Sequence, residues 1–436
     1  MISRTRAIRK CRNNFEIRGY FVAVDVVVVG GGVVGAMCAR YLAKKNLSVT
    51  VVEQGTIGGF CSKGNCGYVS PSHVLPLAEP GVLLKTLKSM TTPDSPFHIR
   101  PRLDLPLLGW LTNFARRCNE KDMMAAGLAL NTILRSSFDE YKTVLAEDGI
   151  ECEWQNDGIL FVYRKASEFE AFCKTDDMLA EKFDRPSRRI IGDEALMEFE
   201  PALKPGNTGA FLYECDAHLH PERLMSQMRS NLMNQGVSLL EGTKVEEIVT
   251  EAGQVRSVKT SQGEIEAKHV VLAAGALSPM FQKALKCSIP VQPGKGLSIT
   301  MQRPAVCPRV PLIFHDHRVA ITPFQTGYRI GSTMEFAGYD TTINPRRLKL
   351  LTEGAKLYLK DPVGQQEEEP WWGWRPMTYD SVPIIGPTPK VRGGWLATGH
   401  SMLGISLASS TGKLIAEMIT GEKPHIDPKP YAVTRF

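Results

Sequence analysis

Residues 24–53 read VDVVVVGGGVVGAMCARYLAKKNLSVTVVE, and the fold of this chain follows from them more than from any other segment. Residues 24–29 form a β-branched apolar run with one acidic interruption, which is typical of a strand buried on both faces. Three glycines follow, and residues 33–45 then have the composition of a helix. Residues 47–52 form a second apolar run, which ends at Glu53. The segment therefore predicts a strand–helix–strand unit.

The glycines of this unit match the pattern G-x-G-x-x-G at Gly30, Gly32 and Gly35. The first glycine permits a tight turn from strand to helix, the second lets the backbone approach a pyrophosphate, and the third lets helix and strand pack closely. The helix N-terminus at Val33 and Val34 presents free N–H groups and a partial positive charge to the phosphates. The pattern predicts a dinucleotide-binding site.

A carboxylate follows at the distance that such a site needs. Glu53 lies 21 residues beyond Gly32, where it can accept hydrogen bonds from ribose hydroxyls. An acidic group there also disfavours a 2′-phosphate, which argues against NADP. A purely structural glycine turn would leave the position of Glu53 unexplained, so we predict a site for FAD or NAD.

Three later segments favour FAD. Residues 61–68, CSKGNCGY, form a small-residue loop that lets the backbone lie against a flat ring, where a simple NAD domain would continue with strand–helix units. Residues 265–275 predict another buried strand with a tight turn, after a hairpin expected at 244–249 and 255–260. Residues 395–404, WLATGHSMLG, predict a short strand, a glycine turn and the start of a helix.

At this point the chain resembles the D-amino-acid oxidase-like family of FAD-dependent oxidoreductases. The segments that carry the resemblance are VVVVGGGVVGAMCARYL with Glu53, HVVLAAGA, WWGWRPMTYDSVPIIG and GHSMLGISLASSTGKLIAEMI. Within that family, GNCGYVSPSHVLPLAEPG is similar to bacterial D-amino-acid dehydrogenases (small subunit) and D-hydroxyproline dehydrogenases. The resemblance extends from about Val24 to Glu422, and its two ends are more specific than residues 76–220.

The resemblance implies a noncovalent FAD along the first strand, with its isoalloxazine ring near residues 64–67 and 399–404. The residues that it assigns to FAD are Gly30, Gly32, Val33, Val34, Gly35, Glu53, Gly64, Asn65, Gly67, Val245, Ala274, Gly275, Gly399 and Gly404. No metal is expected.

We therefore expect an α/β fold with a Rossmann-like FAD-binding domain that is built from discontinuous segments. A substrate domain of α+β character, with a mixed sheet, is expected to cap the flavin. The FAD-binding segments are 23–75, 221–285 and 371–425. The substrate domain takes residues 76–220 and 286–370.

Oxidation of an amino acid at a flavin requires few protein groups, because the cofactor carries the chemistry. A cation for the substrate carboxylate is one of them, and Arg375 is the candidate. A guanidinium binds a carboxylate through two parallel hydrogen bonds, which also fixes the direction of Cα. The matching arginine in related glycine oxidases binds substrate carboxylate. The alternative is a structural arginine stacked on Trp371, Trp372 or Trp374.

His400 is the second catalytic candidate. With Ser401, it lies in the turn before the last helix, from which both can offer hydrogen bonds to the flavin ring. The helix N-terminus there can stabilise negative charge that develops on reduction.

Several other residues are candidates for the site. Cys61 and Cys66 suggest a redox pair near the flavin, but buried cysteines are usually inert and no C-x-x-C motif is present. An H-x-H on a strand places both rings on one face, so His315 and His317 resemble a metal pair, yet no further ligand follows at a recognisable spacing. The other residues considered near the substrate or its entrance are His73, Glu79, His218 and His220.

Composition limits the classes of function. The 436 residues are 43% hydrophobic and 22% charged, which is ordinary for a globular protein. Residues 1–22 carry a net charge of +5 out of +6, so the rest is nearly neutral and nucleic acid is not an expected partner. We expect residues 1–22 to be a disordered basic extension, with attachment to an anionic membrane surface as the alternative. Ten cysteines without framework spacing indicate reduced thiols in a cytoplasmic protein.

The expected function is oxidative deamination of a D-amino acid to a 2-oxo acid and ammonia by an FAD-dependent dehydrogenase. Electrons are expected to pass to a quinone or another acceptor that is not O₂, at the cytoplasmic face of the inner membrane. One alternative is a D-hydroxyproline or D-proline dehydrogenase, or a glycine/sarcosine-type amine oxidase, whose substrate is a cyclic or secondary amine. A second alternative is a flavin-binding subunit that is inactive without a partner protein.

Overall fold

The computed structural model describes residues 23–82, 97–100, 102–364 and 367–436, with no side-chain description for Phe97 and residues 367–369. The basic extension expected at residues 1–22 lies outside the described residues.

Within the described ranges, the strands are β1 (Val24–Val29), β2 (Val49–Val52), β3 (Tyr68–Val69), β4 (Phe97–Ile99), β5 (Ile159–Tyr163), β6 (Arg188–Ile191), β7 (Gly209–Tyr213), β8 (Ala217–His218), β9 (Ser238–Leu240), β10 (Val245–Glu251), β11 (Gln254–Thr260), β12 (Gly263–Leu272), β13 (Val291–Met301), β14 (Leu312–Phe314), β15 (Val319–Thr322), β16 (Tyr328–Phe336), β17 (Glu367–Thr378), β18 (Ile384–Pro387) and β19 (Gly394–Thr398). The α-helices are α1 (Val33–Lys44), α2 (Leu105–Arg117), α3 (Glu120–Glu147), α4 (Ala166–Phe183), α5 (Asp193–Phe199), α6 (Pro221–Asn234), α7 (Pro345–Tyr358) and α8 (Gly404–Thr420).

The first sheet is built around β1. Strands β2 and β12 flank it in parallel, β9 continues beyond β2, and β19 pairs in parallel with β12. The antiparallel strands β10, β11 and β18 extend this sheet. The apolar run of β1 is buried on both faces because α1 covers one side and the hairpin region covers the other. The strand–helix–strand unit predicted from residues 24–53 is confirmed.

The C-terminal helix α8 lies against α1 at very short range. A Cβ atom at Gly412 would stand 2.6 Å from the Met37 carbonyl carbon, so only glycine permits this approach. Helix α3 packs on the other side of α8, where the Tyr141 hydroxyl donates to the Ile405 carbonyl oxygen at 2.7 Å. Helix α8 is therefore buried between α1 and α3, and its N-terminus is held in place.

The second sheet has nine strands and mixed directions. Its order is β17-β13-β16-β15-β14-β5-β7-β6, with β4 parallel to β16 at the side of this path. Most pairs are antiparallel, and β14 and β5 are parallel. The mixed sheet expected for the substrate domain is confirmed, and β13 and β17 run side by side over nearly their full length.

Two features cross the domain boundaries that the sequence suggests. Strand β17 passes through residue 371, yet all of it pairs with β13, so residues 371–378 belong to the substrate sheet and not to the FAD-binding domain. Helix α3, placed in the substrate domain by sequence, shares the hydrophobic core of α1 and α8. Sequence periodicity does not report which of two cores an amphipathic helix covers, which explains the second difference.

In the part of the chain that the structure describes, no helix is long and apolar enough to cross a membrane. The same residues contain no group of three or more His, Cys, Asp or Glu side chains that could hold a metal ion.

Candidate active site

The glycine turn between β1 and α1 has no space for a side chain at two of its glycines. Gly30 has a φ of +106°, and a Cβ atom there would lie 2.5 Å from the Ala273 carbonyl oxygen. A Cβ atom at Gly35 would overlap the Gly30 carbonyl oxygen. These two glycines are therefore required by the fold of the turn, as the fingerprint predicts.

Gly32 is different, because its missing side chain leaves room. A Cβ atom at Gly32 would meet only the Ser62 Oγ, at an ordinary 3.5 Å. Gly32 is also the N-cap residue of α1, and it has no side chain to cap the helix, whose first turn contains no acidic residue. The positive end of α1 is thus left without a carboxylate, which suits a bound pyrophosphate.

The carboxylate of Glu53 lies beside this turn. Its Oε2 accepts a hydrogen bond from the Gly31 N–H at 2.8 Å, and its Oε1 accepts one from the Gly55 N–H at 2.8 Å. Each carboxylate oxygen accepts more than one hydrogen bond, so both retain capacity for ribose hydroxyls. The Thr243 N–H donates to the Glu53 carbonyl oxygen at 2.9 Å, which brings the start of β10 at Val245 to the same end of the sheet.

The end of β12 completes this surface. The Ala273 N–H donates to the Val29 carbonyl oxygen at 2.9 Å, so Ala274 and Gly275 follow directly beside the glycine turn. Gly275 has a φ of +54°, and a Cβ atom there would meet nothing within 4 Å. Taken together, the helix start without an acidic residue in its first turn, the partly satisfied carboxylate of Glu53 and the open glycines fit the phosphate and ribose groups of FAD.

Side chains of the second sheet donate hydrogen bonds to the backbone of the loop of residues 61–68. Arg329 of β16 is 1% exposed, and its Nη1 donates to the carbonyl oxygens of Lys63 at 2.9 Å and Asn65 at 2.6 Å. The Ser298 Oγ of β13 donates to the Gly64 carbonyl oxygen at 2.9 Å, and the Thr322 Oγ1 of β15 donates to the Cys66 carbonyl oxygen at 2.7 Å. Three strands of the substrate sheet therefore fix the backbone of this loop.

Gly64 has a neighbour that the sequence did not reveal. A Cβ atom at Gly64 or at Gly373 would overlap the indole of Trp371, so the ring lies between the two glycines. Gly67 has a φ of +77°, and a Cβ atom there would overlap the Leu219 carbonyl oxygen. Packing within the protein thus accounts for both loop glycines, and their contact with flavin stays a prediction.

Arg375 lies on the same face of β17 as Trp371. Its guanidinium rests against Gly296 of β13, where any Cβ atom would overlap it, and its Nη1 donates to the Thr333 carbonyl oxygen at 2.7 Å. Burial lowers the pKa of Arg375, and the nearby thiols Cys66 and Cys61 oppose this shift. None of the described carboxylates forms an ion pair with this guanidinium, and none of the described indoles lies beneath it. The stacked arginine that was considered as the alternative is therefore not found.

Cys61 and Cys66 flank Arg375 as two free thiols. The Cys61 thiol donates to the Trp374 carbonyl oxygen at 2.9 Å, and a Cβ atom at Gly331 would lie 2.5 Å from the Cys66 Sγ. Burial raises the pKa of the Cys61 thiol to about 12 and raises that of Cys66 as well. Such thiols are protonated at neutral pH, which favours the inert reading over a redox pair.

The turn before α8 is hydrogen-bonded to the backbone of β17 next to Arg375. The Ser401 N–H donates to the Pro376 carbonyl oxygen at 3.0 Å, while Gly399 and Ser401 have φ angles of +73° and +51°. The Ser401 Oγ is buried and has no hydrogen-bond partner among the described residues. A Cβ atom at Gly404 would meet nothing within 4 Å. This turn has an orphaned hydroxyl and open space at the helix start, as a flavin contact requires.

His400 is in this turn, but its ring is directed into the protein core. The side chain is buried, and its Nε2 shares a hydrogen bond of 3.0 Å with the Thr411 Oγ1 of α8. Burial lowers the pKa of His400 to about 3. The ring is therefore neutral at physiological pH and its Nε2 is engaged by Thr411, so the hydrogen bond from His400 to the flavin stays a prediction.

This burial makes the stability of the protein sensitive to acid. The unfolded imidazole gains a proton as the pH falls through about 6.5, but the folded one does not until about pH 3. The stability that His400 contributes is therefore fully present above pH 6.5 and is lost as the pH falls towards 3. We expect His400→Asn to flatten the decline of the unfolding free energy below pH 6.5 by up to ~1.4 kcal/mol per pH unit.

Urea unfolding of the wild type and His400→Asn at several pH values measures this difference. Thr411→Val is the matched control, because it removes the hydrogen bond and keeps the imidazole. This control should lower stability by a similar amount at every pH. Parallel pH profiles for the wild type and His400→Asn would show that the buried imidazole does not cause the loss.

The histidines considered as a metal pair are separated. Residues 315–317 form a 3₁₀ turn and not a strand, so the expected common face does not exist. The His315 ring stacks on Tyr163 with centroids 4.7 Å apart, while the Nδ1 of His317 shares a hydrogen bond of 2.8 Å with the Tyr358 hydroxyl. The prediction of one shared face was wrong because a strand period was assumed for a turn.

The remaining candidates lie around the third, two-stranded sheet of β3 and β8. His218 pairs with Tyr68 there and is buried, which lowers its pKa to about 4. The His220 ring packs on Phe324 with centroids 4.5 Å apart. Burial also lowers the pKa of His73. These neutral, packed rings are structural in character, and Glu79 is exposed at the end of the described segment.

Sequence reasoning missed three residues that shape this site. The Ser62 Oγ accepts the Val33 N–H at 3.0 Å, at the end of α1 where the phosphates are expected. Arg329 holds the loop from 264 residues away. Thr333 holds the guanidinium of Arg375 and has a buried hydroxyl of its own. Only Ser62 had a visible signal, since it lies in the small-residue loop.

Comparison with known proteins gives consistent results. A family model described as FAD dependent oxidoreductase matches residues 25–418. A D-amino acid dehydrogenase of Granulibacter bethesdensis is 31% identical over 427 residues, which cover 94% of this chain and 99% of the relative. A D-amino acid dehydrogenase of Paramagnetospirillum magneticum is 32% identical over 425 residues, which cover 95% of this chain and 99% of the relative.

Among solved structures, glycine oxidase from Geobacillus kaustophilus matches with a TM-score of 0.74 at 23% identity, over 95% of this chain and 99% of that one. L-proline dehydrogenase from P. horikoshii matches with a TM-score of 0.70 at 22% identity, over 95% of this chain and 98% of that one. At this level of identity the two structures support the fold of the chain and not its substrate.

Proposed function

The chain belongs to the family of FAD dependent oxidoreductases, and on this premise we propose that it is a dehydrogenase of D-amino acids. Membership confirms the resemblance that was described from the sequence, together with FAD as the cofactor and the α/β fold. The oxidation of an amino donor follows from the same relationship. What we propose in addition is the identity of the substrate and that of the electron acceptor.

The observation that carries the proposal is that the guanidinium of Arg375 has no carboxylate partner among the described residues. The side chain of Arg375 is half-buried. A guanidinium that is shielded from water normally has a carboxylate partner, because an unpaired charge there is costly. Arg375 has instead one backbone carbonyl and two neutral thiols, beside the loop that is assigned to the flavin. A substrate carboxylate is the partner that completes this site. The curated relatives named D-amino acid dehydrogenase support an amino acid of D configuration as its source.

FAD, when bound, supplies the acceptor for the hydride that leaves the substrate Cα. Arg375 holds the carboxylate and so fixes the direction of Cα. The indole of Trp371, which packs against Gly64 and Gly373, forms an apolar wall on the same face of β17 as Arg375. The turn of residues 399–404 is bonded to Pro376, next to Arg375, and burial of His400 keeps its imidazole neutral. The imino acid product hydrolyses in water to a 2-oxo acid and ammonia.

We propose a quinone or another acceptor that is not O₂, with peripheral contact to the cytoplasmic face of the inner membrane. The names of the curated relatives, which are dehydrogenases, support this acceptor. The alternatives are a D-proline or D-hydroxyproline dehydrogenase and a glycine/sarcosine-type oxidase. A flavin-binding subunit that turns over only with a partner protein is the third possibility to be tested.

Steady-state assays of the purified holoenzyme separate these alternatives. D-Alanine, D-proline, L-alanine and sarcosine are compared with a soluble quinone analogue as acceptor, and O₂ consumption is followed in parallel. We expect quinone reduction with D-alanine at a rate well above O₂ consumption. Turnover with D-proline or sarcosine alone would transfer the assignment to the secondary-amine enzymes, and rapid O₂ consumption would contradict the dehydrogenase.

A further inference from the structure

We propose that Thr333 is a second ligand of the substrate carboxylate, next to Arg375. The inference rests on the proposed function, because it takes the ligand of Arg375 to be a carboxylate. It concerns a residue that neither the motif pattern nor the fingerprint singles out. Three features of β16 carry it: a bulge, two strained backbone positions and a buried hydroxyl without a partner.

The bulge interrupts the pairing of β13 and β16 opposite Gly296. Lys295 pairs with Glu335 and Leu297 pairs with Ser332, so two residues of β16 stand opposite one residue of β13. Thr333 is the first of the two. Bulges next to active sites redirect backbone groups and side chains away from the regular strand pattern. Here the bulge directs the Thr333 carbonyl oxygen to the guanidinium of Arg375, at 2.7 Å from its Nη1.

The backbone at the bulge is strained. Thr333 has a φ of +67° and Ser332 a φ of +118°, in a region that L-residues seldom adopt and that is least favourable for a β-branched side chain. Each such position costs free energy and persists only where the surroundings enforce it. Glycine at either position would remove this cost, so the presence of side chains at both calls for a reason.

The hydroxyl of Thr333 supplies that reason. The residue is 5% exposed, and its Oγ1 is buried without a hydrogen-bond partner among the described residues. A buried hydroxyl without a partner loses its hydrogen bonds to water and gains none in return, which is destabilising. It belongs to the same residue as the carbonyl oxygen that accepts from Arg375, so the hydroxyl and the guanidinium are separated by no more than the span of one residue. A carboxylate that binds Arg375 therefore offers an acceptor to this hydroxyl as well.

The arrangement has a clear chemical preference. A guanidinium and a hydroxyl that both donate match the two oxygens of an anionic carboxylate, and hydrogen bonds to a charged acceptor are the stronger kind. An uncharged ester offers a weaker acceptor to both groups. We therefore expect Thr333 to favour free amino acids over their methyl esters, in addition to the discrimination that Arg375 provides.

The test compares Thr333→Val, which keeps the shape and removes the hydroxyl, with Thr333→Ser, which keeps the hydroxyl. The probe is propionate, a monocarboxylate without an amine, and its Kd is measured on the holoenzyme by calorimetry and by the change in flavin absorbance. We expect Thr333→Val to raise the Kd about tenfold, and Thr333→Ser to leave it within about threefold of the wild type. The KM for D-alanine should rise with the Kd in Thr333→Val.

Thr333→Gly provides an independent test of the same propionate Kd if the valine variant does not fold. It relieves the positive φ and removes the hydroxyl, so it should fold at least as stably as the wild type and still bind propionate about tenfold more weakly. An unchanged propionate Kd in Thr333→Val and Thr333→Gly would overturn the inference. A shifted resting flavin spectrum with an unchanged Kd would also overturn it, because the hydroxyl would then contact the flavin.

The wild type separates this inference from the function on which it rests. If the wild type is reduced by D-alanine and binds propionate, an unaffected Thr333→Val variant contradicts only the role of Thr333. If the wild type neither binds propionate nor is reduced by any amino acid, the carboxylate site itself is contradicted, and Thr333 with it.

Discussion

Replacement of Arg375 by methionine should lower kcat/KM for D-alanine by about 10³-fold, which corresponds to ~4 kcal/mol. The guanidinium is the cation that faces the cofactor loop without a carboxylate partner among the described side chains, and methionine keeps its apolar stem but removes the charge. Most of the loss should appear in KM, because the carboxylate is bound in the ground state as well as in the transition state. Steady-state kinetics over a wide range of substrate concentration measures this division.

The conservative variant Arg375→Lys refines the prediction. Lysine keeps the charge but loses the planar pair of donors, so we expect a loss between that of methionine and the wild type, of about 10–10²-fold. Arg189→Lys is the matched control, since Arg189 forms an ion pair with Asp176 far from the site. It should leave kcat/KM unchanged. An Arg375→Met variant with wild-type KM would show that another group binds the carboxylate.

The second large effect concerns the cofactor. Gly32→Ala should raise the Kd of FAD by about 10²-fold, or ~3 kcal/mol, and leave the apoprotein folded. Gly32 has a φ of −69° and a ψ of 176°, which alanine adopts freely, and a Cβ atom there meets only the Ser62 Oγ at 3.5 Å. The added methyl group therefore affects the protein little, but it occupies the place where the pyrophosphate approaches the backbone.

Fluorescence titration of the apoprotein with FAD measures the Kd, and thermal unfolding of the apoprotein measures the fold. Gly109→Ala in α2 is the control, because a Cβ atom there meets nothing within 4 Å. It should leave FAD binding unchanged. Gly35→Ala should behave differently again and destabilise the apoprotein, since its methyl group overlaps the Gly30 carbonyl oxygen. Equal FAD affinity in Gly32→Ala and the wild type would place the pyrophosphate elsewhere.

The sequence predicts best those parts of the molecule whose cause is local. The unit of residues 24–53 needs only a buried strand, a glycine turn and an adjoining helix, and it forms as expected. The hairpin expected at 244–249 and 255–260 is likewise a local feature, and it forms as β10 and β11. Arg375 was found through its chemistry and a resemblance, and its binding of a substrate carboxylate stays a prediction.

Features that depend on distant contacts were missed or wrongly placed. Ser62 caps a helix that begins 29 residues earlier, and Arg329 holds a loop 264 residues away, so no window of sequence contains both partners. The bulge at Thr333 depends on the register of two strands, which a single strand does not reveal. His400 was placed at the right turn, but the direction of its ring depends on the packing of α8.

The most direct test of the central claim is an anaerobic titration of the holoenzyme with D-alanine and, separately, with ethylamine, the matching amine without a carboxylate. The absorbance of the flavin band is followed at about 450 nm. A flavin dehydrogenase that binds its substrate carboxylate through Arg375 should be bleached by D-alanine, and only slowly or not at all by ethylamine. Reduction by ethylamine as fast as by D-alanine, or a flavin that no amino acid reduces, would contradict this account.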